Sequence, residues 1–232
     1  MKNKFLPIIC ATGIALTLSS QAATVTWGGW TLVTNVAGIQ TPTGYTYGGV
    51  NFNGSTTTIN NGTQDVVFTG IALNSSGTTD GITVANSGFA FQSTGSGNSN
   101  VVSAVGSPTT WATVLDRVIG DDNNAATIDL SGLTVGKQYT VQIFSSTPDA
   151  NLNTTTRITS GGVQTAQFGA HASGVTRYNI ATFTADATSQ SFAITGTEPS
   201  FGALVVGTAV PEPSAALLGG LGMLGLLRRR RN

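Results

Sequence analysis

Aromatic and planar polar side chains between the two terminal segments are the residues whose types best suit ligand binding. Trp30, Tyr45 and Tyr47 have flat faces on which a sugar ring can stack, and Arg157 and Arg177 carry planar hydrogen-bonding groups. Each of the three aromatic residues also lies in a strand-like run, where burial in a hydrophobic core is the ordinary explanation. The five residues are therefore candidates for a carbohydrate-binding surface, with core packing as the alternative for the aromatic ones.

Catalysis and metal binding have little support in residues 23–209, the body of the chain. The body contains one histidine, His171, and no cysteine, which excludes a zinc or copper site built from several such ligands. No serine lies in a G-x-S-x-G motif, and no motif pairs two acidic residues as a glycosidase requires. Asp and Asn at 121–124 provide oxygen ligands suited to Ca²⁺, although these residues are also common in turns. We expect a non-catalytic body without a metal or cofactor, with Ca²⁺ as the alternative.

The charge of the body argues against nucleic acid as a partner. The body carries four Lys and Arg side chains against nine Asp and Glu side chains, a net charge of −5. Binding to phosphates needs clustered Lys and Arg, which an acidic body does not offer. Its length fits one domain with a sizeable core, and without cysteine that core must be stabilised by burial alone.

Short runs of alternating apolar and polar residues predict β-strands throughout the body. Within one run, Tyr139, Val141, Ile143 and Ser145 share a face at a period of two. Gly and Asn clusters separate the runs, a pattern typical of an antiparallel sandwich or barrel. The body is therefore predicted to be all-β. The runs include TVTW from Thr24, WTLVTNV from Trp30, YTYGGVNF from Tyr45, DVVFTGIAL from Asp65, ATIDL from Ala126, YTVQIFSS from Tyr139, YNIATFTA from Tyr178, SFAITG from Ser191 and GALVVG from Gly202.

One segment has helical rather than strand periodicity. In SPTTWATVLDRVIG, Ser107 can cap a helix, Pro108 suits its first position and Gly120 can end it. Trp111, Val114, Leu115 and Val118 form a single apolar stripe at helical spacing. We predict one short helix over 108–119, packed on the sandwich by this stripe.

The body also resembles a known family of sandwich domains. The runs IDLSGLTVGKQYTVQIF, from Ile128, and YNIATFTADATSQSFAITG, from Tyr178, are similar to jelly-roll domains of the galactose-binding-like kind. The resemblance covers about 51–207, and implies an antiparallel jelly-roll-like sandwich. It indicates a fold and not a ligand.

The first 22 residues have the layout of a secretory signal peptide. Lys2 and Lys4 precede an apolar stretch that extends to Leu18, and small residues follow at Ser20 and Ala22. We expect a signal helix over 1–22 that the secretion machinery and signal peptidase recognise, with cleavage after Ala22 or, alternatively, after Ala23.

The last 23 residues, 210–232, combine a Pro-Glu-Pro motif, an apolar run and a basic cluster. Pro211, Glu212 and Pro213 come first, then 214–227 without a charge, then Arg228, Arg229, Arg230 and Arg231. These 14 uncharged residues are predicted to form a short transmembrane helix of about 21 Å, against about 30 Å of hydrocarbon. We expect the arginines to stay on the cytoplasmic side and to stop translocation there.

This tail resembles the PEP-CTERM sorting signal of Gram-negative bacteria. The resemblance implies that the tail holds an exported protein in the inner membrane until an exosortase, a membrane-embedded protease, processes it. We therefore expect the protein to reach the cell surface or the extracellular matrix, as in a biofilm. There the body is expected to be non-catalytic, or alternatively a carbohydrate-binding module for extracellular polysaccharide.

Overall fold

A computed structural model describes residues 23–52, 54–92, 109–120, 126–146, 155–168 and 175–210. Several predicted features lie outside these residues: the signal helix over 1–22, the turn at 121–124, His171 and the tail beyond Val210, which includes the sorting motif, the transmembrane helix and the arginine cluster. Among the described residues, no helix has both the length and the apolar character needed to cross a membrane.

The described part of the chain contains 16 β-strands, one α-helix and one short 3₁₀ helix. The helix α1 is Thr109–Asp116 and the 3₁₀ helix is Val36–Gly38. The strands are β1 Thr26–Trp27, β2 Thr31–Leu32, β3 Tyr45–Asn51, β4 Thr57–Asn60, β5 Asp65–Gly70, β6 Ser76–Thr79, β7 Ile82–Ser87, β8 Phe91–Gln92, β9 Ile119–Gly120, β10 Ala126–Ser131, β11 Gln138–Ser146, β12 Arg157–Ser160, β13 Val163–Gln164, β14 Thr176–Thr184, β15 Ser189–Thr195 and β16 Ser200–Ala209.

The strands form two sheets, which confirms the prediction of an all-β sandwich. The large sheet has ten strands and the main order β1-β14-β11-β16-β3-β5-β4, with β2 beside β14, β9 beside β16 and β8 beside β9. The small sheet has six strands in the order β13-β12-β15-β10-β7-β6. The pairing departs from the antiparallel prediction at one point, because β3 and β5 run parallel. The loop between them reverses direction twice through β4, which pairs antiparallel with β5.

The main core lies between the two sheets. The predicted shared face of β11 is part of it, because Tyr139, Val141 and Ile143 are buried there. Ser145 continues this face as a buried hydroxyl that donates to Ser200 O at 2.8 Å. The small sheet contributes alternate residues of its central strands, Val84, Ile128, Leu130, Phe192 and Ile194. The period of two in the sequence thus corresponds to one buried face of each strand.

A second core covers the opposite face of the large sheet. Trp111 of α1 is fully buried, with its ring 5.6 Å from Phe68 and 5.1 Å from Phe144, measured between centroids. Val114 and Leu115 of the same helix are buried beside Val205 of β16. The apolar stripe of the predicted helix therefore packs on the sandwich as expected, and the large sheet is buried on both faces at its centre.

The helix ends earlier than its apolar pattern predicts. Ile119 was expected to be its last residue but lies in β9, whose backbone pairs with β8 and with Ser200 and Phe201 of β16. Val118 and Ile119 remain fully buried in the extended segment. Burial alone does not distinguish a helix end from a strand, and here the free edge of β16 supplies the backbone partners that extend the segment.

The two ends of the body emerge at the same end of the sandwich, the junction end. At the last strand, Val210 N donates to Gly44 O at 2.8 Å. At the first, Ala23 O lies against Gly161, whose φ of +56° and lack of a side chain allow this approach. The turns at 41–44, 61–64, 80–81, 132–137, 161–162 and 185–188 also lie at this end. The opposite end, the far end, contains β2, β9 and the start of β14.

Adjacent valines in β5 test the contribution of the second core. Val66 is 0% exposed within it, whereas Val67 is 48% exposed. We expect Val66→Ala to lower the free energy of unfolding by about 2 kcal/mol, because buried methyl groups are lost and a cavity remains. Val67→Ala changes strand propensity equally but is expected to cost less than about 1 kcal/mol. Urea unfolding measures both, and equal losses would contradict the packing described.

Candidate functional site

The five predicted ligand-binding residues occupy both ends of the sandwich. Tyr45 and Tyr47 begin β3 at the junction end, where Tyr45 pairs with Ala209. Arg177 pairs with Ser145 near the last residue of β11, at the far end. Gln138, which contacts Tyr45, and Ser145 are seven residues apart on one strand, or about 23 Å at about 3.3 Å per residue. The two tyrosines therefore cannot share a small-ligand site with Arg177.

Trp30 and Arg177 meet at a residue that the sequence analysis did not single out, Phe168. The Trp30 ring stacks on the Phe168 ring with centroids 4.8 Å apart and an angle of 20° between planes. The Arg177 guanidinium carbon lies 5.2 Å from the centroid of the same ring. Trp30 also donates from its indole nitrogen to Ala166 O at 2.9 Å. Trp30, Phe168 and Arg177 form what we call the far-end cluster.

Arg157 joins this cluster through the backbone of the Phe168 segment. Thr156 and Phe168 exchange two backbone hydrogen bonds, at 3.1 and 2.9 Å. The adjacent Arg157 is exposed and donates from Nη2 to Gln167 Oε1 at 2.7 Å. Trp30, Arg157 and Arg177 are thus brought together at the far end, although 20 or more residues separate each from the next in the chain.

Buried polar atoms without partners lie next to the far-end cluster. Asn179 is 1% exposed, and neither Nδ2 nor Oδ1 of its amide has a hydrogen-bond partner in the structure; the same holds for Nε of Arg177. The two residues share a face of β14, since they are two positions apart. Unpaired buried polar groups are uncommon and costly. The sequence does place an Asn, Asn179, at a core-facing position of the run YNIATFTA. Periodicity alone does not indicate that such a residue is functional.

The junction-end tyrosines lie on the outer face of the large sheet. Tyr45 donates its hydroxyl hydrogen to Gln138 Oε1 at 2.6 Å, and Tyr47 donates to Pro42 O at 2.7 Å. The Tyr47 ring crosses β16 at Gly207, where a Cβ would lie 2.5 Å from a ring carbon. Only glycine at 207 leaves room for this ring. Burial raises the pKa of Tyr47 well above its usual value, and the neighbouring Tyr45 adds a smaller increase.

A shallow groove of 390 Å³ opens beside the turns at 161–162 and 185–188. Its lining is polar and small, with Thr159, Ser191 and Asp186 among its side chains and no aromatic residue. None of the five predicted residues lines it. Within the described ranges, no three His, Cys, Asp or Glu side chains are grouped so that they could hold a metal ion.

Comparison with protein families identifies the segment that follows the last strand. Residues 209–231 match the model of the PEP-CTERM protein-sorting motif. The chain carries a PEP-CTERM motif. The match begins at Ala209, the last residue of β16, and includes Pro211, Glu212, Pro213 and the arginines at 228–231. The PEP-CTERM motif implies export, association with the membrane and processing by an exosortase. No curated protein sequence matches the chain.

The raised pKa of Tyr47 predicts a pH dependence of stability. Below about pH 10 the phenol is protonated in both the folded and the unfolded chain. Above that pH the unfolded chain releases the proton while the folded chain retains it, so the free energy of unfolding falls as pH rises. Tyr47→Phe is expected to make this fall less steep. Urea unfolding of both proteins between about pH 8 and pH 11 measures the slopes, and identical slopes would contradict the assignment.

Proposed function

We propose that this chain is an exported, non-catalytic β-sandwich protein that an exosortase-like protease delivers to the cell surface or extracellular matrix of a Gram-negative bacterium. The PEP-CTERM match at 209–231 is the observation on which the proposal depends. The signal-peptide pattern at 1–22 supports it from the other end of the chain. On this proposal the protein is held in the inner membrane in transit, and the secretion machinery, signal peptidase and exosortase are its processing partners.

The chemistry of the tail fits a temporary anchor. Pro211 and Pro213 favour extended backbone, the conformation that proteases usually bind, and Glu212 between them resists entry into the bilayer. A helix of 14 residues is shorter than the hydrocarbon layer, and arginine side chains that extend to the interface recover part of the difference. Four consecutive arginines then oppose further translocation.

The fold is suited to the removal of this tail. The last strand, β16, lies at the centre of the large sheet between β11 and β3, and it is complete at Ala209. Cleavage at the Pro-Glu-Pro motif therefore removes no strand and opens no sheet edge. The released body would retain both hydrophobic cores.

The first test follows an epitope-labelled protein by cell fractionation with and without 210–232. We expect the intact form to reach the membrane and then lose its tail, and the truncated form to bypass the membrane. A second variant, with serine at 228–231, tests whether the four arginines arrest translocation. The expected product is a folded, protease-resistant body released without tail processing. Equal release of the intact and truncated forms, with the tail never lost, would overturn the proposed sorting.

Carbohydrate binding is a second candidate function, favoured by the far-end cluster. Trp30 is only partly buried, and Arg157, which bonds Gln167 at the same end of the sandwich, is exposed. The Trp30 ring is held by Phe168 and by the indole hydrogen bond, so a sugar could stack on it with little loss of side-chain entropy. The cluster also lies at the end of the sandwich opposite Val210, from which the tail continues. Extracellular polysaccharide is the ligand class that this arrangement suits.

Calorimetry with the extracellular polysaccharide of the producing bacterium tests this candidate. If Trp30 stacks on a sugar ring, Trp30→Ala should weaken binding about tenfold, or about 1.4 kcal/mol. Leu32→Ala is the matched control, because Leu32 is exposed at the same end and has no aromatic face. Circular dichroism verifies that both variants fold. An absence of binding at millimolar sugar by the unaltered protein would remove the candidate.

A further inference from the structure

The chain leaves the sandwich very close to the segment predicted to enter the membrane. The hydrogen bond from Val210 N to Gly44 O fixes Val210 on the junction end. The apolar run begins at Ser214, four residues later. Four residues span at most about 14 Å. Because the headgroup layer occupies roughly 5–7 Å on each side of the hydrocarbon, the junction end lies within about 10 Å of the headgroup surface.

The direction of β16 determines which part of the body faces the bilayer. This strand runs from Ser200 at the far end to Ala209 at the junction end, about 30 Å in its ten residues. Pro211 and Pro213 favour a continued extended path rather than a reversal. The junction end is therefore nearest to the membrane and the far end is about 30 Å further away.

The first residue of the body lies at the same end. Ala23 O contacts Gly161, and β1 pairs with the last half of β14 through Thr26 and Thr182. The predicted signal peptide immediately precedes Ala23. Before signal peptidase acts, both segments expected in the membrane thus extend from the junction end.

The junction end exposes apolar side chains at its turns. Val135, at the tip of the 132–137 turn, is 58% exposed, and Val163 and Val210 are also exposed. These are three of the five large apolar side chains that are exposed among the described residues; the others are Leu32 and Val67. Tyr45, partly buried at the same end, presents an aromatic ring and a hydroxyl, the combination enriched at membrane–water interfaces.

The charges at this end do not favour electrostatic attraction to anionic lipids. Lys137 is the cationic side chain that the described turns place there. Asp80, which accepts a hydrogen bond from Thr46 at 2.6 Å, and Asp186 oppose it, with Asp65 at the edge. Binding to an anionic surface relies on several clustered Lys or Arg. Contact at this end must instead come from apolar side chains and Tyr45.

We propose that the junction end is a lipid-facing surface, which rests on phospholipid headgroups with Val135 inserted while the tail anchors the chain. This inference depends on the proposed function, because it requires the tail to lie in a membrane. It adds a defined orientation: the turns at 132–137 and 161–162 face the bilayer, and the far-end cluster faces the periplasm.

Site-specific fluorescence on the full chain from Ala23 tests the orientation. The sequence has one cysteine, Cys10 of the leader, so V135C and L32C each place a single thiol in the processed chain. The two positions have similar exposure, 58% and 50%, but lie at opposite ends. Each variant is labelled with a polarity-sensitive dye and reconstituted into phosphatidylcholine vesicles, with and without lipids that carry a quencher near the headgroup. Flotation measures anchoring by the tail.

We expect the V135C label to show blue-shifted emission and strong quenching, and the L32C label to match its emission in water. V163C is a second junction-end variant, expected to behave like V135C. Phosphatidylglycerol should not increase the contrast, and a V135C signal that requires it would contradict apolar contact. If the chain floats with the vesicles but V135C and L32C behave alike, the orientation is wrong and the anchoring stands. If the chain does not float, the anchoring fails and the orientation fails with it.

Discussion

The pairing of β16 with β11 on one side and β3 on the other is the constraint on which the rest of the structure depends. It joins the last strand of the body to β3, its first long strand, and to β11, the central strand that also pairs with β14. Leu204 and Val206 point into the core between the sheets, whereas Ala203 and Val205 point into the core under the helix. A single strand thus holds both cores together. Without cysteine in the body, no covalent link could replace this contact.

The outer face of the large sheet is covered by the second core and by the segment 33–41, which contributes Val33 and Ile39 to that core. The segment 33–41 covers that face through polar contacts: Gln142 donates to Gly38 O at 2.6 Å, and Asn61 donates to Ile39 O at 2.8 Å. Both amides are buried and both are satisfied, in contrast to Asn179 on the inner side of β14. Within the part of the chain that the structure describes, this cover leaves the periphery of the outer face, including the partly buried Tyr45, available for contact with other molecules.

Strands rich in apolar residues were predicted from the sequence, whereas short polar strands were not. The runs at Tyr139 and Tyr178 alternate apolar and polar residues, whereas the run at Gly202 is continuously apolar because β16 is buried on both faces. β6, Ser76–Thr79, has no apolar residue and becomes a strand only because β7 supplies backbone partners. The candidate site was less predictable. Trp30 reaches Ala166 across 136 residues, and no local pattern indicates that Phe168 lies between Trp30 and Arg177.

The central position of β16 has a consequence for the order of events during export. A chain that crosses the membrane from its N-terminus delivers this strand last, and until it arrives β11 and β3 have unpaired edges facing each other. The pairings of β16 with β11 and β3 therefore form late and over long sequence separations, which slows folding. A pause of the tail in the bilayer would keep each chain apart from its neighbours during that interval, as a tether that protects an unfinished sheet from pairing with another copy.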